Sequence, residues 1–311
     1  MLNNNNDELS KKKLSWTNEK ITKNSPDVSN MVTLKSHPLV NNPVLTGSQV
    51  TDISASYVAD PFIIEEKGTY HMFFEVYDKK LGHIGHAISK DGLKWLYNKI
   101  VLTDGTSHFA YPFVFKINDF WCMLPDKGEN GVGLKLYRAV NFPEVWTPYI
   151  ELMSSGNHID PTPFEWNGKW YILSFDLVTN NTNIYYADSI TSTFWTPHPK
   201  NPFLNGQYLR PGGRPILNDG SIDLFIQDGR SGLYGEKVFR YRIIFLTTTD
   251  FIFEVSEKPI IEANRNGDWN SSAMHHVDIL FSNRNVLPII AVDGAEGANN
   301  NYKFSIGIYT I

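Results

Sequence analysis

ADPFIIEEKGTYHMFFE, residues 59–75, decides the fold. A Pro opens an apolar run, a short polar turn carrying Gly interrupts it, and a second apolar run ends on an acid. That is the pattern of a β-hairpin. It recurs as AYPFVFKINDFWCMLPD (110–126), IDPTPFEWNGKWYILSFD (159–176), GRPILNDGSIDLFIQD (213–228) and HVDILFSNRNVLPIIAVD (276–293). The turns include Asn-Gly and Asp-Gly, which accept the left-handed backbone of two-residue hairpins. Beyond three of the hairpins lie a third apolar segment and a fourth that bears Trp: GHIGHAISKDGLKWLY (82–97), GLKLYRAVNFPEVWTPY (133–149) and NIYYADSITSTFWTPH (183–198). The fourth repeat continues as VFRYRIIFLTTTDFIFEV (238–255), with Phe251 or Phe253 in place of Trp.

Four strands per unit, repeated every roughly fifty to sixty residues, mark a propeller blade. Five such units fill 311 residues, so the chain is expected to be all-β, one five-bladed β-propeller of four-stranded antiparallel blades over residues 31–311. Residues 1–30 form a polar N-terminal segment. The chain ends in YKFSIGIYTI (302–311), a third strand without a fourth; LSWTNEKI (14–21) resembles LKWLYNKI (93–100) and is a candidate closing strand, the alternative being a polar tail. The 19 Phe, 15 Tyr and 8 Trp, with 22 Gly and 17 Pro, suit many short strands joined by tight turns.

Composition narrows the partners. A net charge of −5 argues against a protein that tracks nucleic-acid phosphates. No apolar run is long enough to span a membrane as a helix, and MLNNNNDELSKKKLSW lacks the apolar core of a secretory signal. The single Cys122 excludes an intramolecular disulfide and a multi-Cys zinc site, which points to a cytoplasmic setting.

In a propeller the first strand of each blade lines the axis, so equivalent positions converge at one mouth. Here they are Asp60, Tyr111, Asp160, Arg214 and His276, or its neighbour His275. Packing in a pseudo-symmetric ring has no need of such unlike groups, whereas chemistry does. A second column, Glu75, Asp126, Asp176, Asp228 and Asp293, is alike in every repeat and reads first as structural capping; some of these acids, Glu75 and Asp176 foremost, could extend the pocket. Arg214 offers a planar fork for a carboxylate or phosphate, and the alternative is that it neutralises Asp60 and Asp160 as a buried ion pair. Arg210, Tyr111 and Tyr234 could complete an anionic subsite. His83 and His86 read as surface polar residues, and Asp160, His276 and Asp278 are too loosely spaced for a firm metal assignment. DGRSGLYG (228–235) does not match a P-loop.

ADPF and IDPTPF resemble blades of glycoside hydrolase family 43. ADPFII…FFE, AYPFVF…MLPD, LYRAVNFPEVW (136–146), GGRP (212–215) and MHHVD (274–278) are still more similar to the propeller domain of the glucosamine inositolphosphorylceramide transferase family, over roughly residues 55–300. The first resemblance implies that Asp60 is a general base and Asp160 an orienting acid. It also implies a general-acid Glu, but Gly213-Arg214-Pro215 stands in that place. The expected function is therefore a carbohydrate-active enzyme that cleaves or transfers a glycosyl group of an anionic or phosphorylated sugar. Asp60, Asp160, Arg214 and His276 would be catalytic, and Glu75, Tyr111, Asp126, Asp176, Arg210, Asp228, Tyr234 and His275 would bind substrate. No cofactor is expected beyond a structural calcium. The rival expectations are a non-catalytic glycan-binding propeller beside a glycosyltransferase, and a propeller recruited to another small-molecule reaction.

Overall fold

The computed structural model describes residues 33–129, 131–282, 287–297 and 301–311. They form five antiparallel sheets in sequence order, the blades of a β-propeller. Blade 1 comprises Tyr57–Glu66, Thr69–Tyr77, Gly82–Ser89 and Leu96–Leu102; blade 2 comprises Ala110–Ile117, Phe120–Asp126, Leu134–Asn141 and Val145–Met153. Blade 3 is Ile159–Trp166, Lys169–Asp176 and Asn181–Ala187, with Thr196–Pro197 and Leu204–Asn205 both on its outer side. In blade 4 the inner strand is split into Arg210–Pro211 and Ile216–Asn218, followed by Ser221–Asp228, Lys237–Leu246 and Phe251–Val255. Blade 5 is Val277–Leu280, Ile289–Glu296 and Lys303–Thr310, with Lys35–Ser36 as its fourth strand.

The ring is thus closed by N-terminal chain: Lys35 lies opposite Thr310 and Ser36 opposite Tyr309. Asn42 reinforces the closure, its Nδ2 donating to Ile308 O (2.9 Å) and its Oδ1 accepting from Ile308 N (2.8 Å). The segment 14–21, expected in that place, lies outside the described residues.

The core is distributed between the blades. One apolar cluster joins blades 1 and 2 around Phe73, Val114 and Trp146, and another joins blades 2 and 3 around Phe113, Leu136, Ile172 and Trp195. Blades 3 and 4 meet through Phe164, Leu173, Leu224 and Tyr241, blades 4 and 5 through Phe225, Val238, Val277 and Ile290, and blades 5 and 1 through Ile306, Ala291, Met72 and Phe74. Apolar side chains on both faces explain why the inner strands read as near-continuous hydrophobic runs. The repeated Trp has one job: Trp95, Trp146 and Trp195 are each buried, and each Nε1 donates to the carbonyl three residues earlier, on Gly92, Pro143 and Ser192. A buried indole N–H needs such an acceptor.

The inner strands carry the device that makes the site. In blade 1, Ala59 pairs with Glu75 and Phe62 with Phe73, so Asp60 and Pro61 together face one residue, a β-bulge. Blades 2 and 3 bulge identically at Tyr111-Pro112 and Asp160-Pro161. Asp60, Tyr111 and Asp160 accordingly hold left-handed backbone, φ 51°, 48° and 51°. In blade 4 the break is wider and includes Gly213, φ 136°, where a Cβ would meet Val277 O at 1.8 Å. Only Gly permits that approach of blade 4 to blade 5.

Candidate active site

The bulges of blades 1 and 3 bring Asp60 and Asp160 within electrostatic reach of each other and of Arg210. Asp60 is 3% exposed and Asp160 fully buried. Each bulge is held from the preceding blade. Asp293 Oδ2 accepts from Asp60 N (3.0 Å), and Asp126 Oδ2 accepts from Asp160 N (3.1 Å). The acid ending one hairpin therefore staples the next blade's functional residue, a structural role in the acid column. The column is not uniform, though. Glu75 and Asp126 pair with Ala59 and Ala110, but the residue opposite Ile159 is Phe175, which leaves Asp176 one position further along. Asp176 accepts from the amides of Val178 and Thr179 instead, and Asp228 is engaged by Arg230 through its Nε, Nη2 and amide. Both acids cap their own turns, in place of the substrate-binding positions expected for them.

Asp160 is locked. Arg210 Nε reaches its Oδ2 at 2.5 Å and Nη2 its Oδ1 at 3.3 Å, while Gln227 Nε2 donates to Oδ2 at 3.0 Å. Burial pushes its carboxyl up, Arg210 pulls it back and Asp126 adds to the rise, leaving it at about 6. Asp60 differs. Its Oδ1 has no hydrogen bond; His276 Nδ1 stands 3.6 Å away and His275 Nε2 4.0 Å away. Burial, then the charges of Asp160, Asp293 and Glu75, hold its carboxyl well above the usual range, opposed by Arg210. His275 is oriented by Asp293, which receives its Nδ1 at 2.7 Å and its amide at 3.1 Å. His276 is fully buried against Phe62 and Tyr111, neither ring nitrogen is hydrogen-bonded, and burial lowers it to about 3, so it is neutral.

Arg214 does not face the two Asp residues as expected. Its Nε binds Asp278 Oδ1 (2.9 Å) and its Nη1 the carbonyl of Val114 (2.9 Å), with the guanidinium beside the rings of Phe62 and Phe113. Asp278 also accepts from Ile63 N, so this is an ion pair tying blades 4, 5, 1 and 2. The reason is reach: Arg210, four residues earlier on the split inner strand, already occupies Asp160. Tyr111 is likewise structural, its hydroxyl bonded to Thr162 Oγ1 (2.8 Å) and accepting from Gly213 N (2.8 Å).

Aromatic rings pack around these groups. Tyr234 stands over Arg210 and packs edge-on against Tyr208 and His275; Tyr57 stacks on Tyr77 and meets Phe304. Tyr57, Tyr77, Tyr208, Tyr302 and Phe304 were not singled out from sequence, because their spacing follows the blade repeat only loosely. Gln227 was also missed, one residue before the repeat acid. His83 and His86, expected at the surface, are buried, and His86 Nε2 meets His71 Nδ1 at 3.0 Å.

For a metal, Asp60, His275 and Asp293 bring ligand atoms within 4.8 Å of one another. Asp293 is already filled by three amides and the His275 ring, which leaves two free donors. Asp160 and Asp278 are filled by Arg210, Gln227, Arg214 and the Ile63 amide.

The profile of the family described as glucosamine inositolphosphorylceramide transferase 1, N-terminal, matches residues 25–294. The chain belongs to this family. It is 34% identical over 256 residues to glucosamine inositolphosphorylceramide transferase 1 of Arabidopsis thaliana, covering 77% of this chain and 33% of that protein. The counterpart from Oryza sativa subsp. japonica is 33% identical over 254 residues, 77% of this chain and 34% of that one. The chain thus spans about a third of the length of these relatives. Among solved structures, a putative glycoside hydrolase from Bacteroides ovatus aligns with TM-score 0.66 at 13% identity over 90% of this chain and 97% of that one. A GH62 α-L-arabinofuranosidase catalytic domain from Coprinopsis cinerea gives 0.66 at 14% identity, over 89% and 96%. These likenesses show that this chain shares its propeller fold with those proteins. No helix among the described residues is long and apolar enough to cross a membrane.

Proposed function

We propose that the mouth of the propeller binds a glycosyl unit and that Asp60 and Asp160 act on its glycosidic linkage. One observation carries this: two buried carboxyls from different blades, held at matching left-handed bulges, lie close enough for the charge of Asp160 to raise Asp60, with the rings of Tyr57 and Tyr234 beside them. The family's transferases and the hydrolase-like fold support the glycan assignment. Asp60 would move the proton. Its carboxyl is held above the usual range, so it can donate to a leaving oxygen, with neutral His276 beside it to pass the proton on. Asp160, kept in orientation by Arg210 and Gln227, would stabilise positive charge at the reacting carbon. An anionic group on the substrate would be met at the rim by Arg230, which is exposed though paired with Asp228. This chemistry calls on no cofactor.

A second reading is glycan recognition without turnover. It is favoured by the saturation of both Asp160 oxygens, which leaves one free carboxyl where hydrolysis uses two. The experiment that separates the readings compares the native chain with Asp60→Asn and Asp160→Asn on a panel of aryl glycosides and on a glycan array. Turnover abolished in both variants supports catalysis. Array binding without turnover supports recognition. Full activity in both variants would show that the site lies elsewhere.

A further inference from the structure

The acids that end the hairpins do not all serve the next blade. Asp293 holds the Asp60 amide and Asp126 holds the Asp160 amide. Blade 2 bulges in the same way at Tyr111, and Glu75 ends the hairpin before it, yet Glu75 does not staple that bulge: its Oε1 is buried without a hydrogen bond. Glu75 is also the one Glu in a column otherwise made of Asp. The extra methylene carries its carboxyl past the position from which Asp126 and Asp293 reach an amide. His108, from the loop between Leu96–Leu102 and Ala110–Ile117, meets it there. The Nδ1 of His108 accepts from Gly82 N (3.0 Å), so Nε2 carries a proton, and Nε2 stands 3.2 Å from Glu75 Oε1, out of line for a hydrogen bond. Gly82 makes the room, since a Cβ there would meet Phe109 O at 2.4 Å and His108 Nε2 at 2.9 Å. Glu75 is within electrostatic reach of Asp60: its charge adds to burial, Asp160 and Asp293 in raising that carboxyl, and it follows burial in raising the Tyr57 phenol. A buried carboxylate oxygen without a hydrogen bond is costly and is seldom kept without a use.

We propose that Glu75 is the second working carboxylate of the site, taking the proton of the attacking hydroxyl while Asp60 gives its own to the leaving oxygen, and that His108 is its positioning residue. The inference rests on the reading of Asp60 as proton donor to a glycosidic linkage and completes it. Asp160, saturated by Arg210 and Gln227, keeps its electrostatic part and need not serve as base. The step balances as follows. The attacking oxygen, of water in hydrolysis or of a second sugar in transfer, bonds to the anomeric carbon and its proton passes to Glu75. The bond from that carbon to the leaving oxygen breaks, and the leaving oxygen takes the proton of Asp60. Glu75 ends protonated and Asp60 ionised, and one proton carried back through water resets both.

The test is steady-state kinetics of the full chain on aryl glycosides, with sodium azide as a second probe. Glu75→Gln should lower kcat by about a hundred-fold or more, the worth of one general base, with KM near the native value. Glu75→Asp draws the carboxyl back to the length of its counterparts in the column; it should keep the thermal midpoint and lose rate as Gln does, which separates lost chemistry from lost fold. Azide should restore turnover to Glu75→Ala and appear in the product as a glycosyl azide, because an anionic nucleophile needs no base, and an acid with a merely structural role gives no such rescue. His108→Phe keeps a ring without a donor and should lower kcat about ten-fold at unchanged KM. Native kcat in Glu75→Gln or Glu75→Asp would overturn the assignment, as would a Glu75→Ala that azide does not revive; with Asp60→Asn inactive in the same assay, the reading of Asp60 stands. A native chain that turns over no glycoside would overturn both.

Discussion

Asp60 and Asp160 are the same residue at the same bulge of two blades, yet their surroundings part them. Arg210 and Gln227 saturate one, whereas the other keeps an open oxygen. Two measurable consequences follow from this asymmetry. Asp60 is raised well above 3.8, so ionising it opposes folding: its contribution is intact below 3.8 and is lost as pH rises through the raised folded value. Asp60→Asn removes that loss, and its thermal midpoint should exceed the native one at neutral and alkaline pH, with the two converging in acid. Arg210→Met should do the opposite. It strands Asp160 without its cation, and a chemical denaturation series should show a loss of about 3–5 kcal/mol at neutral pH. The loss should shrink in acid as Asp160 protonates.

At the scale of elements, the repeat itself predicts where stability resides. Trp195 lies at the interface of blades 2 and 3 and its indole N–H is satisfied by Ser192 O. Trp195→Ala should therefore cost about 3–5 kcal/mol by denaturant melting, through lost burial and the cavity left behind. The closing strand is short, and Asn42 compensates by imitating a strand residue with its amide, donating to and accepting from Ile308. Asn42→Ala should cost about 1–3 kcal/mol, the penalty for stranding buried backbone groups, and hydrogen exchange at Ile308 should accelerate. The hairpins and the fourth strands were legible in the sequence because period-two patterning and turn residues are local, although Trp146 alone lies on its strand and Trp95 and Trp195 sit one residue before theirs. The closing strand was not, because Lys35–Ser36 is two residues long and carries no apolar signature; its place is set by where Lys303–Thr310 leaves an open edge.

For the whole molecule, acid should act through a pair of histidines far from the mouth. His86 accepts at Nδ1 from Asn98 Nδ2 (3.1 Å), so its Nε2 carries the proton and donates to His71 Nδ1 (3.0 Å). Protonating either ring sets donor against donor. Burial lowers His71 to about 4 and His86 to about 3, from 6.5. Folded values below unfolded ones mean that stability is complete above 6.5 and falls as pH drops toward about 3. Melting temperature against pH should decline over that window in the native chain and less steeply in His86→Gln.

The strands of five hairpins, four of their turns, the ring they build and the approach of Asp160 to Asp60 were readable from spacing, since each depends on neighbours along the chain or on the repeat's own symmetry; the fifth turn, at 282–285, falls largely outside the described residues. Which cation meets which acid was not. Arg214 holds the place next to Pro in its repeat, but it turns to Asp278, and Arg210 takes Asp160, because the inner strand of blade 4 is split and Gly213 lets it close on Val277. A guanidinium reaches several ångströms from its own backbone, so its partner is chosen by the packing of blades that lie far apart in the chain.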